Sequence, residues 1–178
     1  MWYRTVTAQK HSGAMIALFL PDKVAKELAL DAKDVPGDST IEPADNLHVT
    51  LVYLGKAAEI EHQRSLIKKV LEGFAKKHAP VKGKTGGVGC FAGAKDGMPY
   101  YASFDAGILP QFRQELVEAL EAVGVDIAKD HGFTPHITLA YLPDGSDIPS
   151  QQVESHEMEI GEIVLAWADH LTRYKLEG

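Results

Sequence analysis

The chain writes almost the same seven letters twice, HVTLVYL at 48–54 and HITLAYL at 136–142, with the two histidines 88 positions apart (136 minus 48). A short apolar run rich in β-branched residues, carrying one His and one Thr two positions apart, reads as a β-strand. Two such strands in a chain of 178 residues call for a fold in which each half supplies an equivalent strand. The flanking sequence fits. In the first half AMIALFL (14–20) reads as a strand, DKVAKELAL as a helix, and DAKDVPGDSTIEPADN as a polar loop leading into HVTLVYL. In the second half GVGCF (87–91) and YYASFDAG read as strands, LPQFRQELVEALEAVG as a helix stopped by Gly124, and VDIAKDHGFTP as the polar lead into HITLAYL. Between the halves, Ile60, Ile67, Val70, Leu71 and Phe74 follow a 3.6-residue period, which predicts a surface helix over 58–78. IGEIVLAWADHLTRYKL closes the pattern as a long strand, bent or broken near Asp169. The expected architecture is a duplicated α+β unit with a pseudo-twofold axis, a single domain over 1–178 with two lobes. The long loops at 31–46 and 143–158 are candidate lids or rims.

The strand period of two sorts the repeat into faces. His48, Thr50, Val52 and Leu54 share one, and His136, Thr138, Ala140 and Leu142 share its counterpart. Tyr53 and Tyr141 fall on the opposite faces and are expected in the core. If the two strands are neighbours, two imidazoles and two hydroxyls converge on one spot. Packing alone does not favour polar groups at inward positions of both copies, because each would need a partner. The set suits phosphodiester chemistry. One neutral imidazole takes a proton from an attacking hydroxyl, one imidazolium gives a proton to the departing oxygen, and the hydroxyls donate to the non-bridging phosphate oxygens. The ordinary histidine pKa of about 6.5 allows a pair to hold one charged and one neutral ring near neutral pH.

Composition narrows the substrate. With 45% hydrophobic and 24% charged residues the chain is an ordinary globular mixture. The net charge of −7 argues against extended contact with a long polyanion such as DNA, which recruits clustered Lys and Arg. A short ligand bearing one or two phosphates remains compatible, because local donors outweigh distant screened charge. No apolar stretch approaches the roughly 20 residues of a membrane span, and MWYRTVTAQK lacks the apolar run of a secretory signal. A cytoplasmic location without membrane partners is therefore expected. The one cysteine, Cys90, excludes an intrachain disulfide and a thiolate-rich metal site, and it reads as a packed strand residue. A metal site on the two histidines would lack a carboxylate at fixed spacing, so neither metal nor other cofactor is expected.

HVTL at 48–51 and HITL at 136–139, each introducing an apolar strand, resemble the paired H-x-T/S-hydrophobic signatures of the two-histidine phosphoesterases, the LigT-like superfamily. The resemblance covers roughly 14–175. It implies a bilobal α+β fold, two antiparallel sheets facing across a cleft with helices outside, and catalytic roles for His48, Thr50, His136 and Thr138. HGFTPHITLAYLP and IVLAWADHLTRYKL are similar to phage and bacterial 2′-5′ RNA ligase-like proteins, including nucleases that destroy cyclic oligonucleotide immune signals (anti-CBASS enzymes), and such a phage protein would work in the host-cell cytoplasm. On that resemblance the expected substrate is a cyclic di- or trinucleotide. Opening of 2′,3′-cyclic phosphates at RNA 3′ ends, sequestration of a nucleotide without cleavage, and ligation in reverse are the alternatives.

Candidate substrate-binding residues are aromatic or charged side chains expected at the cleft rims. Trp167 would share a strand face with Leu165; Tyr100, Tyr101 and Phe133 are further rings for base stacking. For phosphate charge Lys129, Arg113, Lys84 and Arg173 are available, with Glu162 or Asp169 as an acceptor for a base amino group. His131 is a loop candidate, and Trp2 and Tyr3 sit in a polar N-terminal extension.

Overall fold

A computed structural model describes residues 12–92, 97–127, 132–150 and 154–178. Trp2, Tyr3, Lys129 and His131 lie outside the described residues. Among the described residues nine strands and three α-helices follow in the order β1 (Gly13–Phe19), α1 (Asp22–Leu28), β2 (Thr40–Ile41), β3 (His48–Lys56), α2 (Arg64–Ala75), β4 (Val81–Cys90), β5 (Met98–Asp105), α3 (Leu109–Glu121), β6 (His136–Leu142), β7 (Glu157–Ile160), β8 (Glu162–Trp167) and β9 (His170–Lys175). Both repeats are strands, β3 and β6. Helix α2 buries Ile67, Leu71 and Phe74, and α3 buries Leu109, Phe112, Leu116 and Leu120. These are the apolar stripes of helices laid against a sheet. Gly124 follows α3 with φ +87°, the left-handed conformation that lets a helix end without steric cost.

All described pairings are antiparallel, in the order β7-β4-β5-β6-β3-β1-β8-β9, with β2 on β6. One lobe is β3-β1-β8-β9 and the other β7-β4-β5-β6. They join through a single recorded pair, Val49↔Ile137, so the two expected sheets form one continuous sheet with a narrow seam. The chain also passes from β7, at one edge of the order, to β8, near the other, through Gly161 alone. Residues two apart lie at most about 7 Å from each other, so the sheet must curl until those strand ends meet. The mixed α/β architecture is thus a strongly curled antiparallel sheet with its helices against the outer surface.

The closing segment is broken beside Asp169, and the break is a reversal of direction. β8 and β9 pair as a tight hairpin, Trp167↔His170, turning through Ala168 and Asp169. Ala168 has φ +51°, as the primed two-residue turns require.

Candidate active site

The seam register sets the geometry. With Val49 opposite Ile137, antiparallel counting sets His48 on the Thr138 side of the seam and Thr50 on the His136 side. Val49 and Ile137 are fully buried, so the four polar side chains share the other face. They line one cavity of about 320 Å³, near the lower end of the roughly 300–1,000 Å³ typical of small-ligand sites.

Each imidazole is oriented in the same way. His48 Nδ1 lies 2.5 Å from the Asn46 carbonyl oxygen, and His136 Nδ1 lies 2.7 Å from that of Thr134. A carbonyl oxygen only accepts, so Nδ1 carries the proton in both rings, which leaves Nε2 as the atom able to take or give one. Ring packing holds each plane. His48 stacks on Phe19 at 5.1 Å between centroids, with the Arg173 guanidinium 5.4 Å from the Phe19 ring. His136 meets Phe91 edge-on at 4.8 Å and Tyr101 at 5.3 Å, and those two rings stack at 4.5 Å. The Thr50 hydroxyl lies 3.7 Å from Met15 Sδ, a weak acceptor that a phosphate oxygen can displace. Among the described residues the Thr138 hydroxyl has no recorded hydrogen-bond partner.

The remaining candidates separate. Phe133 lines a second cavity of about 250 Å³, which shares Thr50, Tyr53 and His136 with the first, and carries the Arg113 guanidinium 4.7 Å from its ring centroid. Tyr101 packs on His136 and so positions it. Tyr100 is fully buried, and burial raises its phenol pKa. Trp167 is a correction: it is 3% exposed, and its indole N–H donates to Glu61 Oε2 at 2.7 Å. Alternation along β8 turns Ala166 to the cavity and Trp167 to the α2 side. Glu162 is a second correction: it does not line the cavity, but starts β8 opposite Lys175 and pairs at 3.2 Å with Arg173, whose guanidinium packs on Phe19 of the cavity wall. Lys84 opens instead onto a shallow groove with Asp105 and Glu157.

The structure also overturns the core assignment of Tyr53 and Tyr141. Both line the 320 Å³ cavity, and Tyr53 is 60% exposed. The reason is a bulge in each copy. In β3, Ala17 pairs with Thr50 and Ile16 with Val52, skipping Leu51. In β6, Tyr101 pairs with Thr138 and Tyr100 with Ala140, skipping Leu139. An extra residue shifts the alternation by one, so each tyrosine returns to the histidine face. Glu42 and Asn46, from the long 31–46 loop, also line the cavity and are hydrogen-bonded to each other. Among the described residues no Lys or Arg lines it, and no group of three or more His, Cys, Asp or Glu is placed to hold a metal ion. No described helix is long and apolar enough to cross a membrane.

The family model of the 2′-5′ RNA ligase superfamily matches residues 20–171. The chain belongs to that family. As a two-histidine phosphoesterase it is an enzyme of phosphodiester chemistry. The fold is similar to that of TT0787 from Thermus thermophilus, with TM-score 0.73 and 22% identity over 93% of this chain and 98% of that one. It is also similar to Escherichia coli LigT complexed with 3′-AMP, with TM-score 0.69 and 20% identity over 96% and 100%. Kluyveromyces marxianus Usb1 with uridine monophosphate matches at TM-score 0.56 and 13% identity over 92% and 97%.

Proposed function

We propose that the chain is a metal-independent phosphodiesterase that cleaves a short or cyclic nucleotide, a cyclic di- or trinucleotide signal first among them. The supporting observation is the single register pair at the seam, which gathers His48, Thr50, His136 and Thr138 around one cavity. One Nε2 lone pair takes the proton of the attacking hydroxyl or water as its oxygen bonds to phosphorus. The other ring's Nε2–H gives a proton to the departing oxygen as the P–O bond breaks. The two threonine hydroxyls donate to the non-bridging oxygens, where charge builds in the transition state.

Electrostatics favour a diester. The described cavity wall offers histidines, hydroxyls and the Glu42 carboxylate, with no Lys or Arg. A diester brings one negative charge, whereas a terminal phosphomonoester near neutral pH brings nearly two. The same wall and the net charge of −7 suit a short ligand better than long RNA. A second reading, opening of 2′,3′-cyclic phosphates at RNA ends, is favoured by the mononucleotides in the LigT and Usb1 structures. Sequestration without cleavage is disfavoured by the matched Nδ1 anchors, which a mere binding site would not need.

The test is turnover in EDTA of a panel containing cyclic di- and trinucleotides and 2′,3′-cyclic nucleotides, resolved by mass. We expect cleavage, reduced about 10²–10⁴-fold in His48→Ala and again in His136→Ala. Folded protein that cleaves none of them, or a histidine variant with full activity, refutes the assignment.

A further inference from the structure

The two repeats share a letter that the proton-transfer chemistry leaves unused: tyrosine, sixth in HVTLVYL and sixth in HITLAYL. Simple alternation would hide both rings, and a separate bulge in each strand returns them to the site, at Leu51 and at Leu139. Because β3 and β6 are antiparallel, the two tyrosines leave the seam in opposite directions. Tyr53 lies three residues beyond Thr50, past the start of β6, and Tyr141 lies three residues beyond Thr138, past the start of β3. With a strand rise of about 3.3 Å, and one residue of each trio taken up by a bulge, each ring is rooted on the order of 7–10 Å from its threonine. That is about the reach from a phosphate to the base of its own nucleoside.

The ends are furnished differently. Tyr53 lies across Gly13, where a Cβ would come within 3.1 Å of its Cε2, and forms part of the wall between the two cavities. At the other end Tyr141 pairs with Thr40, and Glu42 on the same short strand's exit adds a carboxylate to the cavity wall. A carboxylate is an acceptor, suited to a base that presents an exocyclic amino group.

We propose that Tyr53 and Tyr141 are two base platforms, one on each side of the scissile phosphate, and that the substrate is an internucleotide phosphodiester with a nucleoside at both ends. This rests on the phosphodiesterase reading of the same site. A mononucleoside 2′,3′-cyclic phosphate has one base and can occupy one platform only. A cyclic dinucleotide or a linear dinucleotide occupies both.

The experiment compares 3′,3′-cyclic diadenylate with adenosine 2′,3′-cyclic phosphate on wild type, Tyr53→Leu, Tyr141→Leu and the two Tyr→Phe variants, each checked for an unchanged melting profile. Stacking on one ring corresponds to about 5- to 150-fold in affinity. We expect each Leu variant to raise KM for the dinucleotide by that factor with kcat little changed, each Phe variant to restore it, and only one Leu variant to affect the mononucleotide. Unchanged KM in either Leu variant, Phe variants as impaired as Leu, or equal dependence of the one-base substrate on both rings overturns the proposal. Calorimetric binding of cyclic diadenylate to His136→Ala separates the two readings. Tyrosine-dependent binding there supports the platforms even if wild type cleaves nothing, and tyrosine-independent binding removes them even if it does.

Discussion

Arg113 offers a measurement of how firmly the site's backbone is held. Its Nε–H donates at 2.8 Å to the carbonyl oxygen of Leu51, the bulged residue of β3, and its guanidinium lies 4.7 Å from the Phe133 ring centroid. Replacing Arg113 by Met keeps most of the apolar stem and removes both interactions. A hydrogen bond from a charged donor contributes about 1.5–3 kcal/mol, and a cation–π contact about 0.5–1 kcal/mol. The sum predicts a loss of about 2–4 kcal/mol, or about 4–16 °C in Tm at the 2–4 °C per kcal/mol usual for a chain of this size. Urea unfolding followed by circular dichroism measures it, with the midpoint falling at constant slope. The companion variant is Arg173→Met, which removes an ion pair with Glu162 that is about half exposed and the contact with the Phe19 ring, and should cost below about 2 kcal/mol. If Arg113→Met loses less than about 0.5 kcal/mol, or no more than Arg173→Met, the bulge carbonyl does not depend on this donor and the reasoning fails.

Trp167→Phe removes the indole donor to Glu61 and should cost about 1–3 kcal/mol of stability; kcat/KM for the preferred nucleotide should stay unchanged, and a selective rise in KM would reinstate the ring as a substrate contact. The Glu115 carboxyl is held below the usual carboxylate range by hydrogen bonds from His78 and then Gln111. Its contribution to stability is therefore complete above the unfolded Glu pKa of about 4.3 and disappears as pH falls through the lower folded value. Urea midpoints taken from about pH 5 downward should fall more steeply for wild type than for Glu115→Gln; parallel curves would contradict the linkage.

The pattern rules read the elements that obey one period throughout. α2 and α3 were legible because their stripes repeat every 3.6 residues, and the His-x-Thr face because the first three residues of each copy alternate cleanly. The period fails four letters into each copy, at Leu51 and Leu139, where the bulge is fixed by pairing with β1 and β5. A leucine in an apolar strand carries no local mark of this, and the only hint was that tyrosine recurred in both copies. Trp167 illustrates a different limit. Alternation correctly separated its face from that of Ala166, but which face looks into a cavity depends on where α2 docks. Glu162 is held by Arg173 on β9 and not by the cavity, a partner that only the β8–β9 register reveals. Phe19 and Phe91, which set the planes of the two imidazoles, come from distant segments, and nothing next to them in sequence announces that role.

The one-residue passage at Gly161 gives the curled sheet a second tie, opposite the seam at Val49↔Ile137. With a rung of ladder on one side and a covalent stitch on the other, the lobes resemble the two leaves of a book sewn at the spine and clipped at the fore-edge. Both ties constrain how the lobes sit, so the spacing between the two imidazoles is a property of the closed ring of connections and not of either lobe alone. A flexible insertion at Gly161 would leave every motif intact and still loosen one of the ties that hold the two halves in register.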